Sequence, residues 1–227
     1  MIPLKDDNPI SSRPIVTYFL IGLCVVVFLI QLGSQSYRTG QLFYSYGLIP
    51  SVLMGHDQLP MDLYAVPAYL TIFSSMFMHG GWIHLIGNMW YMKIFADNIE
   101  DNLGSRNFII FYILCGIGAA MAQVLMDTHS QVPMVGASGA IGGVLGAYLI
   151  NHPNARVLVL IPYIIITIIK IRALYVLGFW FILQFISSGG GVAYAAHIGG
   201  FVCGMILILF FNKKVRRKTK TIKGPWG

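Results

Sequence analysis

Gly136-Ala137-Ser138-Gly139-Ala140-Ile141-Gly142-Gly143-Val144-Leu145-Gly146-Ala147-Tyr148-Leu149-Ile150 places a serine where a glycine-rich turn gives way to an apolar run. A helix from Ser138 to Ile150 rises about 20 Å, less than the roughly 30 Å hydrocarbon core of a bilayer. If the run is a membrane crossing, its start lies beneath the surface and is reached by a loop that dips inward. Irregular backbone at that depth is stable only where protein covers it or where it lines a water-filled cavity. The short run therefore predicts a recess at Ser138.

The remainder of the chain supports a membrane setting. It is 56% hydrophobic and 10% charged, with a mean hydropathy of +0.72, whereas an average soluble domain carries about 25% charged residues. Apolar windows fall at 14–31, 81–96, 107–126, 137–151, 173–187 and 193–211. These predict an all-α membrane protein: a bundle of six transmembrane helices, the fourth short and starting below the outer surface. With a loop at 32–80 and a basic tail at 212–227, one integral domain over 1–227 is expected. The first window is longer than a signal-peptide core and no small-x-small site follows closely, so it reads as a retained span.

Charge sets the expected orientation. With both termini cytoplasmic, the inner side holds Lys5, Arg13, Lys93, Arg106, Arg156, Lys170, Arg172 and the seven basic residues of 213–223, and the outer side holds Arg38. That asymmetry follows the positive-inside rule for an even number of spans. The stretch 157–169 is apolar, but about 13 residues are too few to cross. It is rich in β-branched side chains, contains Pro162 and lies between Arg156 and Lys170, so it is expected along the inner interface or beneath the bundle. Cys24, Cys115 and Cys203 each lie in an apolar span and read as separate buried thiols.

On this topology His84, Ser138 and His197 all stand near the outer starts of spans. Ser138, Gly142 and Gly146 recur every four residues, as do Gly139 and Gly143, and His197, Gly200 and Gly204 share a face of the sixth span. Small faces let helices approach closely in lipid. Glycines alone favour simple packing, but a serine and a histidine at matching depth favour a nucleophile and its base. His84 and Asn88, one turn apart, are costly in hydrocarbon unless they face the bundle interior or a cavity. Alone they read as an interhelical clamp. Beside Ser138 and His197 they read as donors for an oxyanion, together with the Ser138 amide at a helix start.

Other intramembrane chemistries fit less well. No His-Glu-x-x-His string exists and Glu100 is the sole glutamate, which excludes that zinc-protease pattern. Asp97 and Asp127 fall at opposite sides of the membrane, which excludes an aspartyl pair. No carboxylate is left to orient the imidazole, so a Ser-His dyad is expected, with His197 held by packing. Neither a cofactor nor a metal is expected.

Three segments carry a family resemblance: Gly136-Ala137-Ser138-Gly139, His79 to Asn88 with His84, and Ala196-His197-Ile198-Gly199-Gly200. In order and spacing they resemble the signatures of rhomboid intramembrane serine proteases. The resemblance implies a six-helix fold that cleaves transmembrane proteins near the outer membrane face. It implies Ser138 as nucleophile, His197 as base and then acid, and His84, Asn88 and the Ser138 amide as oxyanion stabilisers. Many members carry a Trp-Arg pair in the first external loop, where this chain has Leu70 and Thr71. Some carry an aromatic residue four places after the serine to pack on the histidine, where this chain has Gly142. How His197 is braced is then open.

The glycine-rich loop 187–191 is expected to cap the site and move with the fifth span, and substrate helices that unwind near the outer surface are expected to be preferred, with small residues at the scissile bond by family resemblance. His79 reads as a loop-bracing residue. The basic tail could suggest nucleic acid, but directly after a span it reads as an anchor for anionic headgroups. The alternative to a protease is a catalytically inactive relative that binds membrane clients, although such proteins normally lose the serine or the histidine. A solute transporter is disfavoured, since the two halves show no internal repeat. A bacterial cell membrane is the expected location.

Overall fold

Where apolar residues run without breakers, the chain is helical. The computed structural model describes residues 1–34, 36–162, 166–186 and 193–212. The long helices are α1 (Ile15–Gly33), α5 (Trp82–Leu103), α6 (Ser105–Met126), α7 (Ser138–Asn151), α8 (Ala173–Ile186) and α9 (Tyr194–Phe211). They coincide within a few residues with the expected spans, apart from the end of α5, which continues past residue 96. Between α1 and α5 lie α2 (Ser36–Tyr46), α3 (Pro50–Leu53) and α4 (Thr71–Ser74), the last flanked by single 3-10 turns. The protein is an integral membrane protein with a helical bundle. Among the described residues, α1, α6 and α9 are each long and apolar enough to cross a bilayer, and α7 and α8 are shorter apolar helices. α5 has the length, but it carries Lys93, Asp97, Glu100 and Asp101 toward its end.

The short helix α7 is the hub. Every residue from Gly139 to Tyr148 is buried, which is why the run is apolar all round rather than on one stripe. Its glycines set the distance to α9. A Cβ at Gly200 would stand 1.9 Å from the Gly139 carbonyl oxygen, one at Gly204 would stand 1.9 Å from that of Gly143, and one at Gly146 would stand 2.1 Å from that of Phe201. Backbone meets backbone here, so even a methyl group must push the helices apart. Overpacking costs about 1–3 kcal/mol and at times more. Gly204→Ala is therefore expected to lower the unfolding midpoint in detergent by several degrees; an unchanged midpoint would contradict this packing.

α1 is tied to the α5–α6 corner by one carboxylate. Glu100, 1% exposed, accepts from the Val16 amide at 2.9 Å, the Thr17 amide at 2.7 Å, the Thr17 hydroxyl at 2.8 Å and the Ser105 hydroxyl at 2.5 Å. The amides at the start of α1 lack intrahelical partners, so this buried acid both caps that helix and is itself satisfied.

The structure adds a three-stranded antiparallel sheet to the helical reading. β1 (Ile2–Asp6) pairs with β2 (Arg156–Pro162), and β2 pairs with β3 (Ile166–Arg172). The described residues of the stretch 157–169 are thus strand and not a seventh helix. Val157 and Val159 are fully buried in the main core while Leu158 and Leu160 are half-buried, the two-residue alternation of a strand with one covered face. β1 is held to the helices by the Trp90 indole, which donates to the Pro3 carbonyl at 2.6 Å, and by the Tyr148 hydroxyl, which donates to Asp6 at 2.5 Å. Burial raises the Asp6 carboxyl above its ordinary value.

The region between α1 and α5 braces the loop that leads into α7. Leu48 and Met134 exchange backbone hydrogen bonds of 3.0 and 2.8 Å, Ser51 N donates to Ser130 O at 3.0 Å, and Gly136 N donates to Ser75 O at 2.9 Å. At the place of the family's Trp-Arg pair, Thr71 is buried and its hydroxyl donates to the Ala68 carbonyl at 2.6 Å. The basic residues of 213–223 and the whole 187–191 loop lie outside the described residues.

Candidate functional site

Ser138 is the first residue of α7, with Ala137 as its N-cap and no side-chain capping bond. The first amides of the helix therefore lack intrahelical acceptors and point toward whatever occupies the space before it. Gly136, two residues earlier, has φ +129°, a conformation that L side chains avoid. A Cβ there would also stand 2.7 Å from His84 Nε2 and 2.8 Å from His84 Cε1. The turn needs glycine for both reasons.

α9 supplies His197. Its start is held against α6, where Ala196 N donates to the Gln123 side-chain oxygen at 3.2 Å. Because the α7 and α9 backbones touch, the serine and histidine side chains are brought together: His197 Nε2 lies 2.7 Å from Ser138 Oγ. His197 Nδ1 lies 2.8 Å from Gln184 Oε1 on α8. The Trp180 ring, one turn earlier on α8, packs at 5.9 Å between centroids from the imidazole, and it also stacks at 6.0 Å on Phe201.

These contacts answer how the histidine is braced. The expectation that packing alone would hold His197 is corrected, since a glutamine amide meets Nδ1. The aromatic place left empty by Gly142 is taken from another helix. A Cβ at Gly142 would be 3.0 Å from the His197 carbonyl oxygen and 3.7 Å from the Trp180 ring, so a large side chain there would displace what now stands on it. Gln184 had a signal in the sequence: it is the polar residue within the apolar run 173–186, and such residues turn inward in a membrane bundle. Trp180 had none, because aromatic residues on a span are as often lipid-facing.

α5 supplies His84 and Asn88. The Gly80 amide donates to His84 Nδ1 at 3.2 Å, so Nδ1 is the acceptor of a neutral ring and Nε2 carries the hydrogen, facing the Gly136 backbone. The Asn88 amide donates to the His84 carbonyl at 3.0 Å. His79, 1% exposed, stands at the entrance to α5: its backbone amide and carbonyl pair with the Gln31 side chain, each at 3.1 Å, and its ring Nδ1 lies 3.2 Å from the Phe77 carbonyl. Ser138, His197, His84, Asn88, Gly136 and Trp180 all line one cavity of about 880 Å³. Among the described residues, no group of His, Cys, Asp or Glu side chains is arranged to hold a metal ion.

The Rhomboid domain model matches residues 67–214, about two thirds of the chain and all of this site. The chain belongs to the rhomboid family. It is similar to RHOMBOID-like protein 5 of Arabidopsis thaliana, 32% identical over 138 residues, covering 60% of this chain and 42% of the plant protein. Rhomboid protease GluP of Bacillus subtilis is 29% identical over 197 residues, covering 86% of this chain and 34% of that protein. The putative rhomboid protease YdcA of the same bacterium is 31% identical over 154 residues, covering 64% and 69%. The chain thus spans less than half the length of the first two relatives.

Proposed function

We propose that this rhomboid is an intramembrane serine endopeptidase that cleaves transmembrane proteins near the outer membrane face. The observation that carries the reading is the 2.7 Å approach of Ser138 Oγ to His197 Nε2 within the cavity. At this distance the hydroxyl can pass its proton to the imidazole as the oxygen attacks a peptide carbonyl. The oxyanion that forms is met by the Ser138 amide, by His84 Nε2–H and by the second Asn88 amide hydrogen. The protonated His197 then gives its proton to the departing amine, leaving an acyl group on Ser138. A water molecule, deprotonated by the same nitrogen, releases it.

With both termini cytoplasmic, the start of α7 lies below the outer surface, and the substrate segment must unwind to present a carbonyl there, because a helix occupies its own carbonyls. A bacterial membrane is the proposed setting, with 1–227 acting as one integral domain and the basic tail meeting anionic headgroups. No cofactor or metal takes part in this scheme.

Reconstitution in vesicles with a single-pass transmembrane substrate tests the activity: site-specific cleavage supports it, and binding of intact substrate without cleavage would favour the client-binding alternative. In the same assay, His84→Ala and Asn88→Ala should each lower kcat by about 10-fold or more, since loss of one oxyanion donor costs up to 10²–10³. Wild-type kcat in both variants would remove that role.

A further inference from the structure

The hydrogen bonds around Gln184 carry more than bracing. Its side-chain amide nitrogen donates to the Trp180 carbonyl one turn back on α8, at 2.8 Å. That bond turns the two ends of the amide in a defined sense: NH₂ toward its own helix, Oε1 toward the site. Oε1 is an acceptor only, and it lies 2.8 Å from His197 Nδ1. The ring nitrogen facing it must therefore carry a hydrogen. In a neutral imidazole this leaves the lone pair on Nε2, the atom that faces Ser138 Oγ.

We propose that Gln184 is a positioning residue, which holds His197 in the tautomer and ring orientation able to accept the Ser138 proton. The inference rests on Ser138 and His197 being the reacting pair. It goes beyond that pair, because a third helix, contributing neither nucleophile nor base, then sets the state of the base. The task is the one a carboxylate performs in a Ser-His-Asp triad, done here by a neutral amide. A neutral acceptor orients the ring without adding charge, so it favours the imidazolium less than a carboxylate would.

The difference in charge supplies the test. The full-length protein in detergent or vesicles is assayed against one transmembrane substrate across pH, as wild type, Gln184→Leu and Gln184→Glu. Leucine keeps the approximate bulk but accepts no hydrogen bond, so kcat should fall on the order of 10-fold or more, part of the 10²–10⁴ that base catalysis supplies, with KM within about 2-fold. Glutamate restores the acceptor and should recover most of the kcat at or above neutral pH. Its negative charge favours protonated His197, so the acid limb of the pH profile should move upward by about one unit: the base must be neutral, and activity is then lost at a higher pH as pH falls.

A purely structural role predicts no such movement. Wild-type kcat in Gln184→Leu would overturn the proposal, and so would equal losses in both variants with an unmoved acid limb. If the leucine variant does not fold, the glutamate variant's acid limb decides alone. Ser138→Ala, run beside them, separates the two readings: cleavage that survives it defeats the reacting pair itself, whereas its loss combined with a silent Gln184 defeats only this inference.

Discussion

Ser138→Ala and His197→Ala are each expected to lower cleavage by about 10⁴ to 10⁶-fold, and the double variant should be no worse than either. The two side chains act as one device. Without the hydroxyl there is no attacking atom, and without the imidazole the hydroxyl is a weak nucleophile whose proton has no acceptor. The effects must then overlap instead of multiplying. Rates for the three variants, measured at one substrate concentration well above KM, check this. Multiplicative losses would mean that the residues contribute separately. The substitutions should leave folding nearly intact, since the α7–α9 interface is made by Gly139, Gly143, Gly200 and Gly204 and not by these side chains.

The second large effect is expected at a residue with no side chain. Gly136→Ala should lower kcat by about 10²–10³-fold, the loss associated with one oxyanion donor, while binding of the transmembrane segment changes little. Two causes act together. The backbone at φ +129° disfavours any L residue, and the new methyl would lie 2.7 Å from His84 Nε2 and 3.5 Å from Ser138 Oγ. Either the turn flattens, which rotates the Ser138 amide out of line, or His84 withdraws. A Gly136→Ala protein that folds and cleaves at the wild-type rate would show that the turn does not place these donors. Steady-state kinetics with a melting curve alongside separate this from the Gly204→Ala effect, which acts through stability.

Much of this architecture was legible because membrane proteins write their spans in composition. The six apolar windows became the six long helices, and α5 runs on past its window because the residues that follow are polar yet still helical. Ser138, His197, His84 and Asn88 stood out as polar groups inside apolar runs, and the structure gathers all four around one cavity. The rest depended on partners far away in the chain. The strand character of 157–162 shows in Val157 and Val159 only once β1, some 150 residues earlier, is beside it. Nothing local distinguishes its covered face, because both faces are apolar. Gln184 offered a cue, as a polar residue in the apolar run of α8, that the sequence reading did not use, and its acceptor role follows from a bond to Trp180 and from the ring it meets on α9. The bracing of His197 could not be read from position 142, since the ring that fills that space arrives from a different helix.

In the proposed mechanism Ser138 is made nucleophilic by His197. The most direct test of this is to treat the detergent-solubilised protein with a fluorophosphonate and locate the phosphonyl adduct by peptide mass spectrometry. The expected result is one adduct, on Ser138, formed by the wild type and absent from His197→Ala. An adduct on another residue, undiminished labelling in His197→Ala, or no labelling of a protein that cleaves its substrate would contradict it.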